Sequence, residues 1–214
     1  MLRFGKSTGA KPAPRGLKPS LCHARLDQSR LKTPAQKGLY MAEAKDFSDL
    51  PTRAQLLSMS GYDFMCAMRD GTLPRPPIAR LLCYELTEVS DGSVTFSGTP
   101  ELDHTNPMGG LHGGWYGAVL DSCMACAVMT KVPKGSIYTT LEYKVNITRS
   151  IPIGQPVVAR GWVQHAGRST GVAAGEIRGA EDGKLYATGS TTCIIMQLDT
   201  ASRPPISDAG MKRL

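Results

Sequence analysis

The pattern of apolar and polar residues predicts one long apolar helix followed by several amphipathic strands. Between residues 115 and 129 almost every side chain is apolar, and Asp121 is the only carboxylate. A helix that is apolar around its whole circumference has to be enclosed by other elements. A lone carboxylate is costly to bury, so it more often marks chemistry than architecture. We therefore expect a buried central helix that carries a functional acid.

Strands joined by turns account for most of the chain around this helix. Residues 81–89 and 93–97 flank Ser90-Asp91-Gly92, a strong hairpin signal. Strands are also predicted over 137–148, 157–164, 170–178 and 184–197, and Glu181-Asp182-Gly183 joins the last two. Consecutive hairpins indicate an antiparallel sheet of five or six strands. Only this sheet is large enough to wrap the helix, so we expect an α+β protein of the hotdog type: a curved antiparallel sheet around one long buried helix.

The segment before the sheet predicts a separate helix. Residues 53–68 place apolar side chains near helical spacing, with Gly61 as a weak point and Gly71 as the stop. Pro74, Pro76 and Pro77 are expected to end any helix. The chain then divides into a basic tail over 1–45, a helix and proline-rich connection over 46–77, the hotdog domain over 78–200 and a C-terminal tail over 201–214.

The positive charge of the chain is confined to its N-terminal tail. The whole chain carries a net charge of +7, whereas residues 1–40 hold nine Lys or Arg against one acid. The same segment is rich in Pro, Gly and Ser and has few large apolar residues, so we expect it to be disordered. It is open whether it is a physiological tail, an organelle transit segment, a weak arm for nucleic acid or membrane surfaces, or an upstream extension of a chain that begins at Met41.

Several classes of partner have no signature in the sequence. The longest apolar run, over 115–129, is too short for a membrane span, and no apolar region follows the basic start. The six cysteines lack framework spacing, which predicts reduced thiols in a cytoplasmic protein. Metal-ligand spacing and a dinucleotide fingerprint are also missing. We therefore expect no metal, no cofactor, no membrane and no nucleic acid as partners. His104 and His165 are interpreted as solvated loop residues.

A glycine-rich corner, 106–114, leads directly into the apolar helix. Gly113 and Gly114 lack Cβ atoms, so a ligand can approach the backbone where a helix begins with unpaired N–H groups and partial positive charge. Such a site suits a developing oxyanion. For two neighbours a plainer role is equally open: His112 as a helix cap and Asn106 as a turn residue.

The run Asn106-x5-His112-Gly113-Gly114, with Asp121 seven residues later, resembles the phenylacetate-pathway (PaaI-type) branch of the hotdog acyl-CoA thioesterases. The strand Tyr138-Thr139-Thr140-Leu141-Glu142 belongs to the same pattern, and the resemblance covers roughly residues 78–197. It implies hydrolysis of a fatty or aromatic acyl-CoA thioester by a homodimer or homotetramer. Hydrolysis of this kind needs no cofactor.

The resemblance also implies roles for individual residues. The Gly113 N–H would polarise the thioester carbonyl, Asn106 and His112 would orient substrate or water, and Asp121 would act as base or nucleophile. The hydroxyl residue on the following strand matches Thr140 best, and Thr139 lies one register step away. Substrate contacts are expected from Gly114, from pocket walls at Trp115, Tyr116, Tyr138, Trp162 and the helix over 53–68, and from cations at the ends of elements, above all Lys134 and Arg168.

Helix geometry makes the site a shared one. Gly113 and Asp121 are eight residues apart, which corresponds to roughly 12 Å along a helix axis. One Asp side chain does not bridge that distance. If both groups act on one carbonyl, they come from different chains across a two-fold interface.

Other functions remain open at this point. The chain could bind acyl-CoA as a sensor without cleaving it, although a sensor has no use for a carboxylate beside the thioester. Hydration of an acyl thioester on the same fold usually pairs the acid with a nearby His on the same segment, and no His follows Asp121 at such a distance. Asp121 could also be a structural anchor, satisfied by backbone groups or by Ser122.

Overall fold

The structure, a computed structural model, describes residues 43–198, so both predicted tails lie almost wholly outside the described residues. It contains a six-stranded sheet in the order β1-β2-β4-β5-β6-β3, with every neighbouring pair antiparallel. The strands are β1 (Tyr84–Ser90), β2 (Ser93–Gly98), β3 (Ser136–Ile147), β4 (Val157–Ala166), β5 (Thr170–Gly179) and β6 (Leu185–Gln197). The helices are α1 (Arg53–Ser58), α2 (Gly61–Arg69), α3 (Pro77–Leu81) and α4 (Gly113–Met129). The hotdog architecture is thereby confirmed.

Helix α4 packs closely into the sheet and contacts β2, β3, β4, β5 and β6. Its backbone comes so near to β4 that a Cβ atom at Gly161 would overlap the carbonyl oxygen of Cys123. Only glycine permits this approach. The helix is therefore held against the sheet by backbone shape as well as by its buried apolar side chains, among them Leu120, Met124 and Val128.

The sheet does not close around α4, because β1 and β3 are edges rather than neighbours. Tyr84 of β1 hydrogen-bonds Ser122, and Thr140 of β3 hydrogen-bonds Asp121, so the two edges flank one strip of the helix. We call this strip the open stripe; its half-buried residues are Ala118, Asp121, Ser122 and Cys126. The helix is thus enclosed except along the stripe that carries the acid.

The N-terminal segment forms two helices where one was predicted over 53–68. α1 ends before Met59, whose backbone is extended, and Ser60 begins α2 by accepting a hydrogen bond of 3.1 Å from the Asp63 N–H. A local cap therefore divides the segment just before the weak point at Gly61. Pro77 also departs from expectation, because it begins the short helix α3; the first turn of a helix tolerates a missing N–H.

Four of the five described cysteines are free thiols, as expected, and the fifth is not. Cys66, Cys123, Cys126 and Cys193 are free. Cys83 is disulfide-bonded, which corrects the expectation at that position. Within residues 43–198, no helix is both long and apolar enough to cross a bilayer. The same residues contain no cluster of three or more metal-binding side chains.

Candidate active site

The glycine corner presents one backbone donor at the start of α4. His112 is the N-cap residue, and its Nδ1 accepts a hydrogen bond of 2.9 Å from the Gly114 N–H. The neighbouring Gly113 N–H has no acceptor among the described residues. A Cβ atom at Gly113 would meet only the Ile147 Cδ1, at 3.8 Å, so this glycine has open space beside it. The arrangement leaves the N–H of Gly113, at the positive end of the helix, available to an oxyanion.

Asn106 shapes the loop that precedes this corner. Its Oδ1 accepts hydrogen bonds from the Met108 N–H at 2.9 Å and the Gly110 N–H at 3.2 Å, and its own N–H donates to the Gly110 carbonyl at 2.8 Å. The amide Nδ2 has no acceptor within the described part of the chain. The turn role is therefore present, and one end of the side chain is still available to a ligand or water.

Asp121 lies half-buried on the open stripe with its two oxygens in different situations. Oδ1 accepts a hydrogen bond of 3.0 Å from the Thr140 Oγ1, whereas Oδ2 has no partner among residues 43–198. Burial raises the pKa of Asp121, and the Thr140 hydrogen bond opposes that rise. Ser122 does not anchor the acid, because its hydroxyl pairs with the Tyr84 hydroxyl at 2.8 Å.

The groups around the Asp121 carboxylate are neutral. Burial raises the pKa of Cys126 to about 12 and raises that of Tyr138 well above its ordinary value. Among the described residues no salt bridge involves Asp121. A carboxylate with one oxygen fixed and the other presented, in neutral surroundings, is suited to act as a general base or as a nucleophile.

The register of β3 distinguishes the two candidate threonines. Thr140 pairs with Cys193 of β6 and turns its hydroxyl toward α4, while Thr139 is exposed. Leu141 follows as an extra residue, where a β-bulge interrupts the pairing. The structure therefore brings Thr140, and not Thr139, to the acid.

The corner and the acid do not meet within one chain. Gly113 is the first residue of α4 and Asp121 is its ninth, a separation of roughly 12 Å along the axis. Contacts with β3 follow the same order, with Ile147 beside Gly113 and Thr140 beside Asp121. The predicted residues thus form two half-sites on the same helix.

Two predicted ligand contacts lie in the core instead. Trp115 is 3% exposed and its Nε1–H donates to the Leu82 carbonyl at 2.9 Å. The hydroxyl of Tyr116 is likewise buried and accepts the Ile151 N–H at 2.8 Å. Both rings support the start of α4, and neither offers a free polar group to a substrate.

His104 corrects the expectation of a solvated loop residue. Its ring is buried, with Nδ1 accepting the Glu101 N–H and Nε2 facing the Leu81 carbonyl, each at 2.8 Å. Its carbonyl accepts the His112 N–H at 2.9 Å, so it holds the helix cap in place. Nothing in the sequence indicated this role of His104. The residue lies eight positions before His112, in the loop that leads to the helix cap. His165 is exposed as expected, but it lies on β4, paired with Val172, and not in a loop.

The two predicted phosphate-binding cations lie at the other end of α4. Lys134 follows the C-terminus of the helix, and Arg168 lies in the turn between β4 and β5; both are exposed. Ser169, next to Arg168, accepts a hydrogen bond from the Ile195 N–H through its carbonyl oxygen. Ile195 in turn pairs with Tyr138 near the start of β3, which follows Lys134. Both cations therefore lie at the same end of the sheet. They are remote from the glycine corner of their own chain.

Known proteins of the same architecture are similar to the central part of this chain. Residues 108–186 match the model of the thioesterase superfamily. A phenylacetic acid degradation-related putative thioesterase from Ralstonia eutropha JMP134 is 28% identical, with a TM-score of 0.56, over 61% of this chain and 98% of that one. A point mutant of the phenylacetic acid degradation protein PaaI from Thermus thermophilus is 26% identical, with a TM-score of 0.51, over 55% and 97%.

A thioesterase protein from Streptococcus pneumoniae TIGR4, whose structure contains coenzyme A, shares the fold at 23% identity and a TM-score of 0.51, over 57% of this chain and 93% of that one. No curated protein matches the sequence significantly. The matched residues include the glycine corner from Met108, the acid at Asp121 and the threonine at 140, whereas the helices α1 to α3 lie outside them.

Proposed function

We propose that this chain converts a fatty or aromatic acyl-CoA to the free acid and coenzyme A, because it is a PaaI-type hotdog thioester hydrolase. We further propose that each active site is built by two copies of the chain. One copy supplies the Asp121 carboxylate and the other supplies the N–H of Gly113.

The state of Asp121 is the observation that carries this proposal. Its Oδ1 is held by Thr140, its Oδ2 has no partner among the described residues, and it lies on the one strip of α4 that the sheet leaves uncovered. A carboxylate kept only for structure would have both oxygens satisfied when half-buried. This one has a free oxygen facing the side from which a ligand or a second subunit approaches.

The surface beside the open stripe supports a two-fold partner. β3 is an edge strand and exposes apolar side chains: Leu141 is 59%, Tyr143 47% and Ile147 49% exposed. An uncovered edge with apolar residues is a template for pairing with another strand. A two-fold axis perpendicular to α4 makes the two helices antiparallel, and an axis that passes midway between Gly113 and Asp121 places the glycine corner of one copy beside the acid of its partner.

In such a dimer the chemistry divides between the subunits. The thioester oxygen accepts the Gly113 N–H at the positive end of one helix, where negative charge develops in the transition state. Asp121 of the other subunit either activates a water or attacks the carbonyl carbon directly and forms a mixed anhydride. In both routes the C–S bond breaks and coenzyme A leaves as the thiolate, which takes up a proton. In the second route a water then hydrolyses the anhydride, which releases the free acid and regenerates the Asp121 carboxylate. Lys134 and Arg168 of the subunit that supplies the acid then lie toward the corner that holds the thioester, where they can meet the phosphates of coenzyme A.

Thiol release from a panel of acyl-CoA esters tests the proposal. The panel runs from acetyl through long straight chains and includes phenylacetyl, and it is measured with the wild type, with Asp121→Asn and with Asp103→Asn. Asp103 is an exposed carboxylate outside the site and serves as the matched control. We expect release by the wild type and the control and a loss of at least about 100-fold with Asp121→Asn, the order of magnitude of a lost general base. Absence of release from every ester would overturn the function and favour an acyl-CoA sensor.

A further inference from the structure

A small cavity opens beside the acid, between the N-terminal helices and the edge of the sheet. Its volume is about 80 Å³. The N-terminal segment forms one wall through Met68 and Ala79, and the sheet forms another through Leu86 and Phe96. Most of the lining surface is apolar, and the one charged residue among the lining, Arg75, forms an ion pair with Glu43. Such a cavity suits a hydrocarbon group and not the phosphates or the pantetheine amides of coenzyme A.

The cavity reaches the open stripe of α4. Ser122 and Cys126 line it, and Ser122 is the residue next to Asp121. The two neighbours point to opposite edges of the sheet: Asp121 to Thr140 of β3, and Ser122 to Tyr84 of β1. A thioester carbonyl held at Asp121 therefore lies one residue along the helix from Ser122, which lines the cavity.

We propose, on the basis of the function proposed above, that this cavity holds the acyl group and that the N-terminal segment is its end wall. The substrate class is then a short straight-chain acyl-CoA. The cavity has about half the volume of an engineered cavity that holds benzene, so it suits a chain of only a few carbons. We therefore expect a preferred acyl chain of about four to six carbons.

The same volume argues against an aromatic acyl group. Benzene occupies an engineered protein cavity of about 150 Å³, nearly twice the space measured here. Long fatty chains would have to displace Met68 or Ala79, which are packed against the core. Met68 and Ala79 lie outside the residues that match the thioesterase superfamily, as do Leu86 and Phe96 on the sheet side of the cavity.

Chain-length profiles of kcat/KM test the assignment. Met68→Ala lengthens the cavity, and Met59→Ala is the matched control, because it makes the same substitution in the same segment at a residue that does not line the cavity. We expect a wild-type optimum at four to six carbons and a shift toward longer chains by about two carbons in Met68→Ala. For an eight-carbon ester kcat/KM should rise at least about 10-fold, since a methylene that fits is worth a factor of this order.

A narrowing variant tests the same wall in the opposite direction. Ala79→Val should reduce kcat/KM for the six-carbon ester by about 10-fold and leave the acetyl ester nearly unchanged. The melting temperature of this variant is measured as well. Misfolding would lower it and would reduce kcat/KM for every ester.

Two outcomes would overturn the inference, and they are distinguishable. If the wild type prefers phenylacetyl or long chains, or if Met68→Ala has the profile of Met59→Ala, the pocket assignment fails while Asp121-dependent hydrolysis stands. If no ester releases thiol, the proposed function fails and the pocket with it.

Discussion

The hydroxyl of Thr140 donates a hydrogen bond of 3.0 Å to the Oδ1 of Asp121 and lowers the pKa that burial raises. Replacing it with the isosteric valine removes that contact, so the carboxyl should hold its proton to higher pH. We expect Thr140→Val to lower kcat/KM at pH 7 by about 10-fold, as for the loss of one hydrogen bond to a charged group. The pH at which activity appears should also move upward.

Thr139→Val is the control for this substitution, because Thr139 is exposed on the same strand. Its pH profile should match that of the wild type. Equal effects of the two valine substitutions would mean that the hydrogen bond to Asp121 does not matter for catalysis.

The raised pKa of Asp121 also predicts a dependence of stability on pH. Asp121 holds its proton more tightly in the folded state than in the unfolded chain, where its pKa has the ordinary value of 3.8. The unfolded chain therefore binds fewer protons between that value and the raised one, and the free energy of unfolding falls as pH rises through this window. Asn carries no charge, so Asp121→Asn should gain stability relative to the wild type as pH rises from about 3.5 to about 7.

Thermal unfolding of the two proteins across this range measures the difference. The remaining titrating groups are common to both proteins and cancel in the comparison. A difference in melting temperature that does not change with pH would show that the fold does not disfavour the ionised acid.

Gly113 permits a selective removal of the proposed oxyanion donor. It is the first residue of α4, a position that favours proline, and His112 before it already has the extended backbone that proline requires (φ −66°, ψ 135°). Gly113→Pro should therefore fold normally and lose about 100-fold to 1000-fold in kcat. Gly113→Ala keeps the N–H and meets no described protein atom closer than 3.8 Å, so it measures the effect of the added carbon alone and should lose much less activity than Gly113→Pro.

Circular dichroism and the melting temperature establish that both variants fold, and initial rates of thiol release give the effect. Should Gly113→Pro and Gly113→Ala be equally active, another group must stabilise the oxyanion.

Mixed dimers test whether the two half-sites belong to different subunits. Gly113→Pro and Asp121→Asn should each be nearly inactive alone. A dimer that contains one of each has one complete site out of two, so dimers purified on both tags should recover about half of the wild-type activity. The subunits are co-expressed with different tags and purified on both. Recovery would not occur if the glycine and the acid acted within one chain.

His112 combines a structural and a chemical expectation that substitutions can separate. Its Nδ1 caps α4, so His112→Ala should lower the free energy of unfolding by about 1 kcal/mol. Asn is a favourable N-cap, and His112→Asn should recover most of that loss. If the imidazole also orients substrate or water, kcat stays low in His112→Asn. Urea unfolding and steady-state kinetics on the same samples measure both quantities, and full recovery of kcat would leave His112 as a cap alone.

The sequence was sufficient for the fold because its signals are local. Turn dipeptides such as Asp91-Gly92 define the hairpins, and the uniform apolarity of α4 requires a sheet around it. The division of the N-terminal helix was missed because Ser60 acts through a single cap hydrogen bond, a signal weaker than the apolar periodicity on either side.

The site was predictable only in part, because its geometry depends on long-range pairing. The glycine corner and Asp121 stand out by residue type. Two threonines in succession do not reveal which one faces the helix, since that depends on the register of β3 against β6. The open stripe and the cavity beside Ser122 depend on the strand order, which leaves β1 and β3 as edges.

The bulge in β3 reconciles two demands on a single strand. Side chains alternate along a strand, so a regular strand with Thr140 facing the helix would turn Tyr143 and Ile147 to the opposite side. The extra residue, Leu141, resets the alternation, and both of those side chains also face α4. One inserted residue thus lets a polar anchor and an apolar seam share the same face, and deleting it would force the protein to give up one of them.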